Sequence, residues 1–183
     1  MWMVVALGLA NALLSTSSNA GSMAERRVAM LLPKPDHEAT RAQVYAVFPR
    51  AEGRWGVVHV VDRECSMSRA VVAHLIERRA STQLDEMVVV IDRDGATRRE
   101  DIDLVHAGYR VRVMHFERAK DVVPVSMPSM IVARPDGTLA YVGGHRRDGA
   151  LEKTRGFVDA AIVAELVATG ETSINVVVVG CLR

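Results

Sequence analysis

The feature that most constrains the fold is a β-branched run, residues 57–61, which is followed closely by Cys65 and by residues 66–80. Four of the five residues in the run are valine, a composition typical of a strand buried on both faces. Apolar residues in the next segment recur at three- and four-residue intervals, which predicts an amphipathic helix. A buried strand that turns directly into a helix is the repeating unit of α/β folds. The sequence therefore predicts an α/β protein.

Similar runs alternate along the rest of the chain. We predict strands at residues 28–32, 87–91, 110–116, 130–133, 139–142 and 174–179, and helices at residues 36–48, 97–108 and 151–168. The segment Arg-Pro-Asp-Gly at residues 134–137 is typical of a hairpin turn, because proline presets the turn and glycine accepts positive φ. Right-handed crossovers make the first three strands parallel, and the hairpin adds the antiparallel edge.

Charge and composition exclude several classes of partner. Lys and Arg total 23 against 22 for Asp and Glu, and aromatic residues make up only 4% of the chain. Such a chain has neither a long-range field nor stacking platforms for bases, so we expect no nucleic-acid partner. The six histidines and two cysteines form no metal-ligand spacing, so we expect no metal site.

The first 25 residues differ from the remainder, since they carry no charge before Glu25. We interpret residues 1–25 as a leader, either a signal peptide or a membrane anchor, with a cleavage site of small residues at 18–20. This favours a periplasmic or membrane-anchored protein, whereas translation from Met23 would give a cytoplasmic one. Residues 26–169 are predicted to form one domain, and residues 170–183 a C-terminal strand and tail.

Two motifs in this order resemble the thioredoxin-like superfamily. One is Val-Val-His-Val-Val-Asp-Arg-Glu-Cys-Ser-Met-Ser at residues 57–68, a strand that leads to a cysteine at the start of a helix. The other is Val-Ser-Met-Pro-Ser-Met-Ile-Val at residues 125–132, which is similar to the family's cis-proline loop and precedes the hairpin. The resemblance implies a three-layer α/β/α sandwich with a central mixed sheet, a C-terminal antiparallel hairpin and an extra C-terminal strand.

The resemblance implies that Cys65 is a nucleophile, and its position supports this, because a helix N-terminus stabilises thiolate over thiol. The family's dithiol motif is Cys-x-x-Cys, but here Ser68 stands in the second place and cannot close a disulfide. Glu64 replaces the usual tryptophan, and its charge opposes thiolate formation. We predict a thiol-disulfide oxidoreductase of monothiol (CxxS) type. The alternative is a redox-inactive binding or scaffold module.

Three uses of a single thiol stay open. Cys65 forms mixed disulfides that an external thiol such as glutathione or a protein thiol resolves, or it is oxidised to a sulfenic acid that condenses with Cys181, or it does no chemistry. Cys181 is equally well interpreted as a tail thiol without a partner. The expected partner is a disulfide of a protein or a small thiol, and no cofactor is expected beyond the thiol reductant. The sequence does not predict the oligomeric state.

Four further residues are candidates by the same resemblance. Met127 offers a backbone edge to substrate, and the bond to Pro128 is predicted to be cis. His59 lies six residues before Cys65, where family members often bury an acidic proton acceptor, although a strand histidine is more often structural. Arg69 raises the thiolate character of Cys65, binds a carboxylate such as that of glutathione, or lies on a solvated helix face.

Overall fold

A computed structural model describes residues 30–31, 52–115, 126–145, 156–172, 177–178 and 181–182. The strands in chain order are β1 Met30–Leu31, β2 Gly56–Asp62, β3 Asp85–Asp92, β4 Arg110–His115, β5 Ser126–Met127, β6 Ser129–Ala133, β7 Leu139–Gly143, β8 Val177–Val178 and β9 Cys181–Leu182. The helices are α1 Ser66–Arg78, α2 Arg99–His106 and α3 Asp159–Thr169. The predicted leader and the predicted helix at residues 36–48 lie outside the described residues.

Five of the strands form one mixed sheet in the order β4-β3-β2-β6-β7. Strands β2, β3 and β4 are parallel, while β6 is antiparallel to β2 and β7 is antiparallel to β6. The predicted hairpin is therefore present as β6 and β7. The carboxyl ends of β2 and β3 meet at one edge of the sheet, which is where an open α/β sheet places its ligands.

The three described helices pack on one face of this sheet. Helices α1 and α2 bury aliphatic side chains against β2 and β3, whereas α3 packs over β6 and β7. The residues that the helices contribute to these two clusters are Val71, Leu75, Leu104, Ile162, Val163 and Leu166. Since side chains alternate along a strand, Val60, Val89 and Ile131 point to the opposite face, and they are buried as well. Both faces of the sheet thus belong to the core.

The chain ends pair differently from the prediction. Residues 28–32 were expected to form a parallel strand of the central sheet, but β1 pairs antiparallel with β8 in a separate two-stranded sheet. Residues 174–179 were expected to form one strand, whereas the structure has β8 and β9, and β9 pairs with β5. The error has a simple physical origin, because apolar periodicity identifies a strand without identifying its partner.

The three described helices are all shorter than predicted, and α1 ends at Arg78 rather than at residue 80. Helix α2 begins at Arg99 rather than near Thr97, and the carboxylate of Asp101 accepts the N–H of Arg98 at 2.7 Å. It ends before Gly108, whose φ of 96° terminates the helix as expected. Helix α3 begins only at Asp159, because Phe157 precedes the helix and packs against the cluster formed by α1 and α2.

The sheet order, the cysteine after β2 and the hairpin after the Met127–Pro128 turn make this a thioredoxin-like fold, as the motifs predict. None of the described helices combines the length and the apolar character that crossing a membrane requires.

Candidate functional site

Cys65 occupies the N-cap position of α1, immediately after β2. A tight turn brings it there: the carboxylate of Asp62 accepts the N–H of Glu64 at 2.9 Å, and the Asp62 carbonyl accepts the N–H of Cys65 at 3.0 Å. The carbonyl of Cys65 then accepts the N–H of Arg69 at 3.1 Å and so begins the helix. The helix dipole at this end favours negative charge. Cys65 therefore stands at the positive end of the α1 dipole.

The sulfur of Cys65 is not a free thiol in this structure. Cys65 is disulfide-bonded and only 3% exposed. The sequence contains one other cysteine, Cys181. The single-thiol state predicted from the Cys-x-x-Ser motif is thus not the state that the structure holds, and the motif could not show this, because sequence spacing gives no distance between two remote cysteines.

The Met127–Pro128 turn lies directly against Cys65. The peptide bond between Met127 and Pro128 is cis, and the Met127 carbonyl oxygen is 3.8 Å from the Cys65 sulfur. A disulfide sulfur carries no proton, so this is a van der Waals contact rather than a hydrogen bond. On its other side β5 pairs with β9, with Met127 opposite Cys181. The structure thus brings four of the predicted site residues to one place.

Ser68 is near this place but its hydroxyl is already used. The side chain is buried, and its Oγ accepts the backbone N–H of Asp62 at 3.0 Å. This bond ties the first turn of α1 to the end of β2. Ser68 is therefore part of the scaffold that positions Cys65.

The sequence reasoning missed a charged group that includes Arg63, which precedes Cys65 by two residues in the chain. This arginine–aspartate cluster consists of Arg63, Asp92, Arg98 and Asp101. Arg63 forms ion pairs with Asp92 and with Asp101, the latter at 2.8 Å, and Arg98 lies 3.4 Å from Asp92. Its position at the carboxyl ends of β2 and β3 is the signal that could have revealed it.

The cluster favours the ionised form of Asp92. Burial by itself would raise the pKa of Asp92, but the N–H of Asp94 and the charges of Arg63 and Arg98 outweigh it and lower that pKa. Glu64, whose charge was expected to oppose thiolate formation, pairs with Arg93 at 2.9 Å. Arginine side chains therefore pair with the carboxylates of both Asp92 and Glu64.

A cavity of about 420 Å³ opens between α1 and α2 next to the cluster. Arg69 contributes to its wall together with Arg63 and Arg98, while Val72, Ile76 and Leu104 supply an apolar side. Arg69 itself is exposed. This position is compatible with binding a carboxylate and with a solvated helix face, since the side chain borders both the cavity and the solvent.

His59 lies away from this site. The side chain is 1% exposed, its Nδ1 lies 3.0 Å from Nε2 of His145, and its Nε2 lies 3.2 Å from the Glu86 carboxylate. In the part of the chain that the structure describes, these two are its polar partners, and neither adjoins Cys65. The contacts are those of a hydrogen-bonded core histidine.

His59 belongs to a buried polar network that sequence reasoning did not foresee. Its members are His59, His74, Arg78, Glu86, His145 and Asp159. Glu86 accepts bonds from Arg78 at 2.5 Å and from the Ser81 N–H at 2.7 Å, while Asp159 lies 3.1 Å from Arg78 and 2.8 Å from His74. In the sequence, the signal for this network was single polar residues, such as His59 and Glu86, within or next to apolar runs.

The network fixes the charge state of its central members. Burial on its own would raise the pKa of Glu86, but hydrogen bonds from His59 and Arg78 outweigh it and lower the pKa from 4.5 to about 2. Burial, helped by the neighbouring positive groups, lowers the pKa of His145 well below its usual value. Across the described ranges no three acidic, histidine or cysteine side chains are grouped as a metal site requires.

Residues 36–182 match the family model described as Domain of unknown function (DUF6436). Since the match spans most of the sequence, the chain belongs to this family. No curated protein matches the chain.

Several solved structures share the fold. The thioredoxin domain of a thiol-disulfide oxidoreductase from Bacteroides vulgatus is 19% identical, with a TM-score of 0.42 over 63% of this chain and 81% of that one. A hypothetical protein from Sinorhizobium meliloti is 14% identical, with a TM-score of 0.49 over 90% and 94%. A thiol:disulfide interchange protein from a Bacteroides species is 17% identical, with a TM-score of 0.42 over 66% and 76%. At these identities the likeness concerns the fold alone.

Proposed function

We propose that this member of the family is a thiol-disulfide oxidoreductase whose nucleophile is Cys65. One observation carries the proposal: Cys65 is disulfide-bonded at the N-terminus of α1 and touches the carbonyl of Met127. Thiolates at helix N-termini are the reactive form of cysteine in this kind of chemistry. A cysteine that is both placed for ionisation and engaged in a disulfide has the two properties that exchange requires.

The exchange proceeds in two displacements. The Cys65 thiolate attacks one sulfur of a substrate disulfide, a mixed disulfide forms, and the other substrate sulfur leaves as a thiolate. A second thiolate then attacks the Cys65 sulfur, breaks the mixed disulfide and releases the remaining substrate thiolate. Two electrons pass to the substrate in total. Glutathione or a protein dithiol then supplies two electrons to this protein by reducing the disulfide that is left on Cys65.

Cys181 is the proposed source of the second thiolate, because it is the one other cysteine in the sequence. The pairing of β5 with β9 supports this role, since it places the Cys181 backbone opposite Met127, whose carbonyl contacts Cys65. The single-thiol route, in which an external thiol performs this step, remains the direct competitor. Ser68 is outside both routes, because its hydroxyl binds the strand end.

Arg69 is proposed to contribute to binding rather than to bond making. It borders the cavity beside α1 together with Arg63 and Arg98. A guanidinium in that position suits a small anionic thiol such as glutathione, whose carboxylates it would pair.

We also propose that residues 1–25 are an export signal or anchor, because they carry no charge before Glu25 and end in small residues. If the protein is exported, we expect that trapping of free thiols in intact cells will recover Cys65 in its oxidised form.

The test of the proposal is the pH dependence of Cys65 alkylation in the reduced Cys181→Ser protein. We expect the labelling rate to reach half of its maximum at a pH well below 8.5, the approximate pKa of a free thiol, because α1 stabilises the thiolate. The matched control is Cys65→Ser in the same background, which must not be labelled. If the labelling rate rises only near pH 8.5, Cys65 has the pKa of an ordinary thiol and its disulfide has a structural role.

That outcome would favour the redox-inactive binding module. The burial of Cys65, at 3% exposure, and the serine at position 68 are the observations on its side. Equilibration with glutathione redox buffers separates the two functions, since structural disulfides resist reduction by the glutathione pool whereas exchangeable ones do not.

A further inference from the structure

The short strand β5 offers an edge to which another strand can be added. Ser126 and Met127 directly precede the Pro128 turn, and the Met127 carbonyl lies 3.8 Å from the Cys65 sulfur. Extended peptides bind such edges by adding a strand, and main-chain hydrogen bonds supply the affinity. A segment bound here would carry its backbone past the reactive sulfur.

In the structure this edge is already occupied by the chain's own C-terminus. Strand β9 runs antiparallel to β5, with Cys181 opposite Met127 and Leu182 opposite Ser126. Cα atoms directly opposite each other in antiparallel strands are about 4.5 to 5.5 Å apart. Cys65 is disulfide-bonded, Cys181 is the other cysteine of the sequence, and bridged cysteines have Cα atoms up to about 7 Å apart, so β9 brings Cys181 to Cys65.

We propose that the C-terminal segment is an internal pseudosubstrate, which binds the β5 edge and Cys65 as an extended cysteine-containing segment of a partner protein would. This inference rests on the proposed function. The arrangement has the two elements of a trapped substrate complex, a strand added at Met127 and a disulfide at Cys65. The partner it fits is an extended protein segment with an apolar residue after its cysteine, as in Cys181–Leu182.

The tail and a partner segment exclude each other. One row of main-chain groups on β5 cannot pair with two strands at once, so the edge is closed while β9 is bound. Reduction by a protein dithiol breaks the bond, leaves two thiols on this chain and a disulfide on the reductant, and so removes the covalent link. A paired segment of two residues is then held only by weak main-chain contacts. The reduced tail becomes a competitor that a partner can displace.

The experiment measures how the tail competes with an added segment. The probe is a synthetic peptide of residues 178–183 whose cysteine carries a thionitrobenzoate leaving group, so that attack by Cys65 forms a mixed disulfide and releases a coloured thiolate. The reference probe is dithiobis(nitrobenzoate), a small disulfide without a backbone. Both react with the reduced full-length Cys181→Ser protein, with the same protein lacking residues 180–183, and with Cys181→Ser carrying Leu182→Pro.

We expect the rate constant with the peptide to rise about tenfold or more when the tail is deleted. The apparent rate is proportional to the fraction of molecules whose β5 edge is not occupied by the tail. Leu182→Pro should give a rise in the same direction without shortening the chain, since proline cannot complete the strand pairing. The rate with the small disulfide should stay within about twofold in all three proteins, because it needs no strand edge.

Three results would decide otherwise. Equal rises with both probes would show that the tail merely covers the sulfur, and unchanged peptide rates would show that it does not occupy the edge, so either result overturns the pseudosubstrate. If Cys65 reacts with neither probe in any variant, the proposed oxidoreductase function itself fails. Unfolding midpoints of the three proteins, measured in parallel, confirm that each variant is folded.

Discussion

Two polar groups sit along the same pair of strands and differ in their position along them. The arginine–aspartate cluster lies at the carboxyl ends of β2 and β3, borders the cavity between α1 and α2, and includes Arg98, whose side chain is 50% exposed. The buried polar network lies toward the other end and lines a second cavity of about 460 Å³, but the side chains of His59 and Glu86 at its centre are each 1% exposed. Arg63 of the cluster precedes Cys65 by two residues in the chain, whereas His59 of the network precedes it by six. The burial of its central pair assigns the network to stability, and the cluster is the group nearer to Cys65 along the chain.

The largest effect is expected from removing the centre of the network. Glu86→Ala leaves His59 without its carboxylate and Arg78 with Asp159 alone. Breaking a buried pair on one side lowers the free energy of unfolding by about 3 to 5 kcal/mol. Denaturant titration measures the change. Glu100→Ala is the matched control, because Glu100 is exposed and lies 4.0 Å from Arg63. A small effect of Glu86→Ala would remove the distinction between the two groups.

A pH titration sharpens the same comparison. The pKa of Glu86 is lowered from 4.5 to about 2 in the folded protein. A depressed carboxyl pKa stabilises the fold above about pH 4.5, and this contribution, about 3 kcal/mol, is lost as the pH falls toward 2. We therefore expect Glu86→Gln to flatten the pH dependence of the free energy of unfolding between pH 5 and pH 2, and an unchanged slope would contradict the assigned charge state.

A smaller loss of stability is expected at the other end. Arg63→Ala leaves the carboxylates of Asp92 and Asp101 poorly paired, which lowers the free energy of unfolding by about 1 to 3 kcal/mol. Because it also removes positive charge near Cys65, the alkylation rate of the reduced Cys181→Ser protein at pH 7 should fall by about threefold. Arg79→Ala, on an exposed residue at the far end of α1, is the control. If the alkylation rate is unchanged, the cluster has no influence on the sulfur.

The smallest effect on stability is expected at Arg69. The side chain is exposed, so Arg69→Ala should change the free energy of unfolding by less than about 0.5 kcal/mol. If the residue pairs with a carboxylate of glutathione, the KM for glutathione should rise by a few fold while the rate with dithiothreitol, which has no carboxylate, stays constant. Equal changes with both reductants would leave Arg69 as a solvated surface residue.

The sequence predicted best those parts whose structure is set locally. The run at residues 57–61, Cys65 and the helix after it were recognisable because hydrophobic periodicity and proximity along the chain determine them, and the Pro-Asp-Gly hairpin was recognisable by its turn chemistry. The pairing of β1 with β8 and of β5 with β9 joins residues far apart in the chain, and periodicity is silent about such partners. His59 was assigned to the site for a related reason, because its distance along the chain from Cys65 does not show which core side chains it faces.

The hydroxyl of Ser68 has one more consequence. Introducing a Cys-x-x-Cys motif by Ser68→Cys would replace a good hydrogen-bond acceptor with a sulfur, which accepts only weakly, and would weaken the bond to the N–H of Asp62. The engineered protein would then gain a second thiol close to Cys65, but it would weaken the link between β2 and α1 that positions Cys65. A functional dithiol at this place would therefore require at least one compensating change.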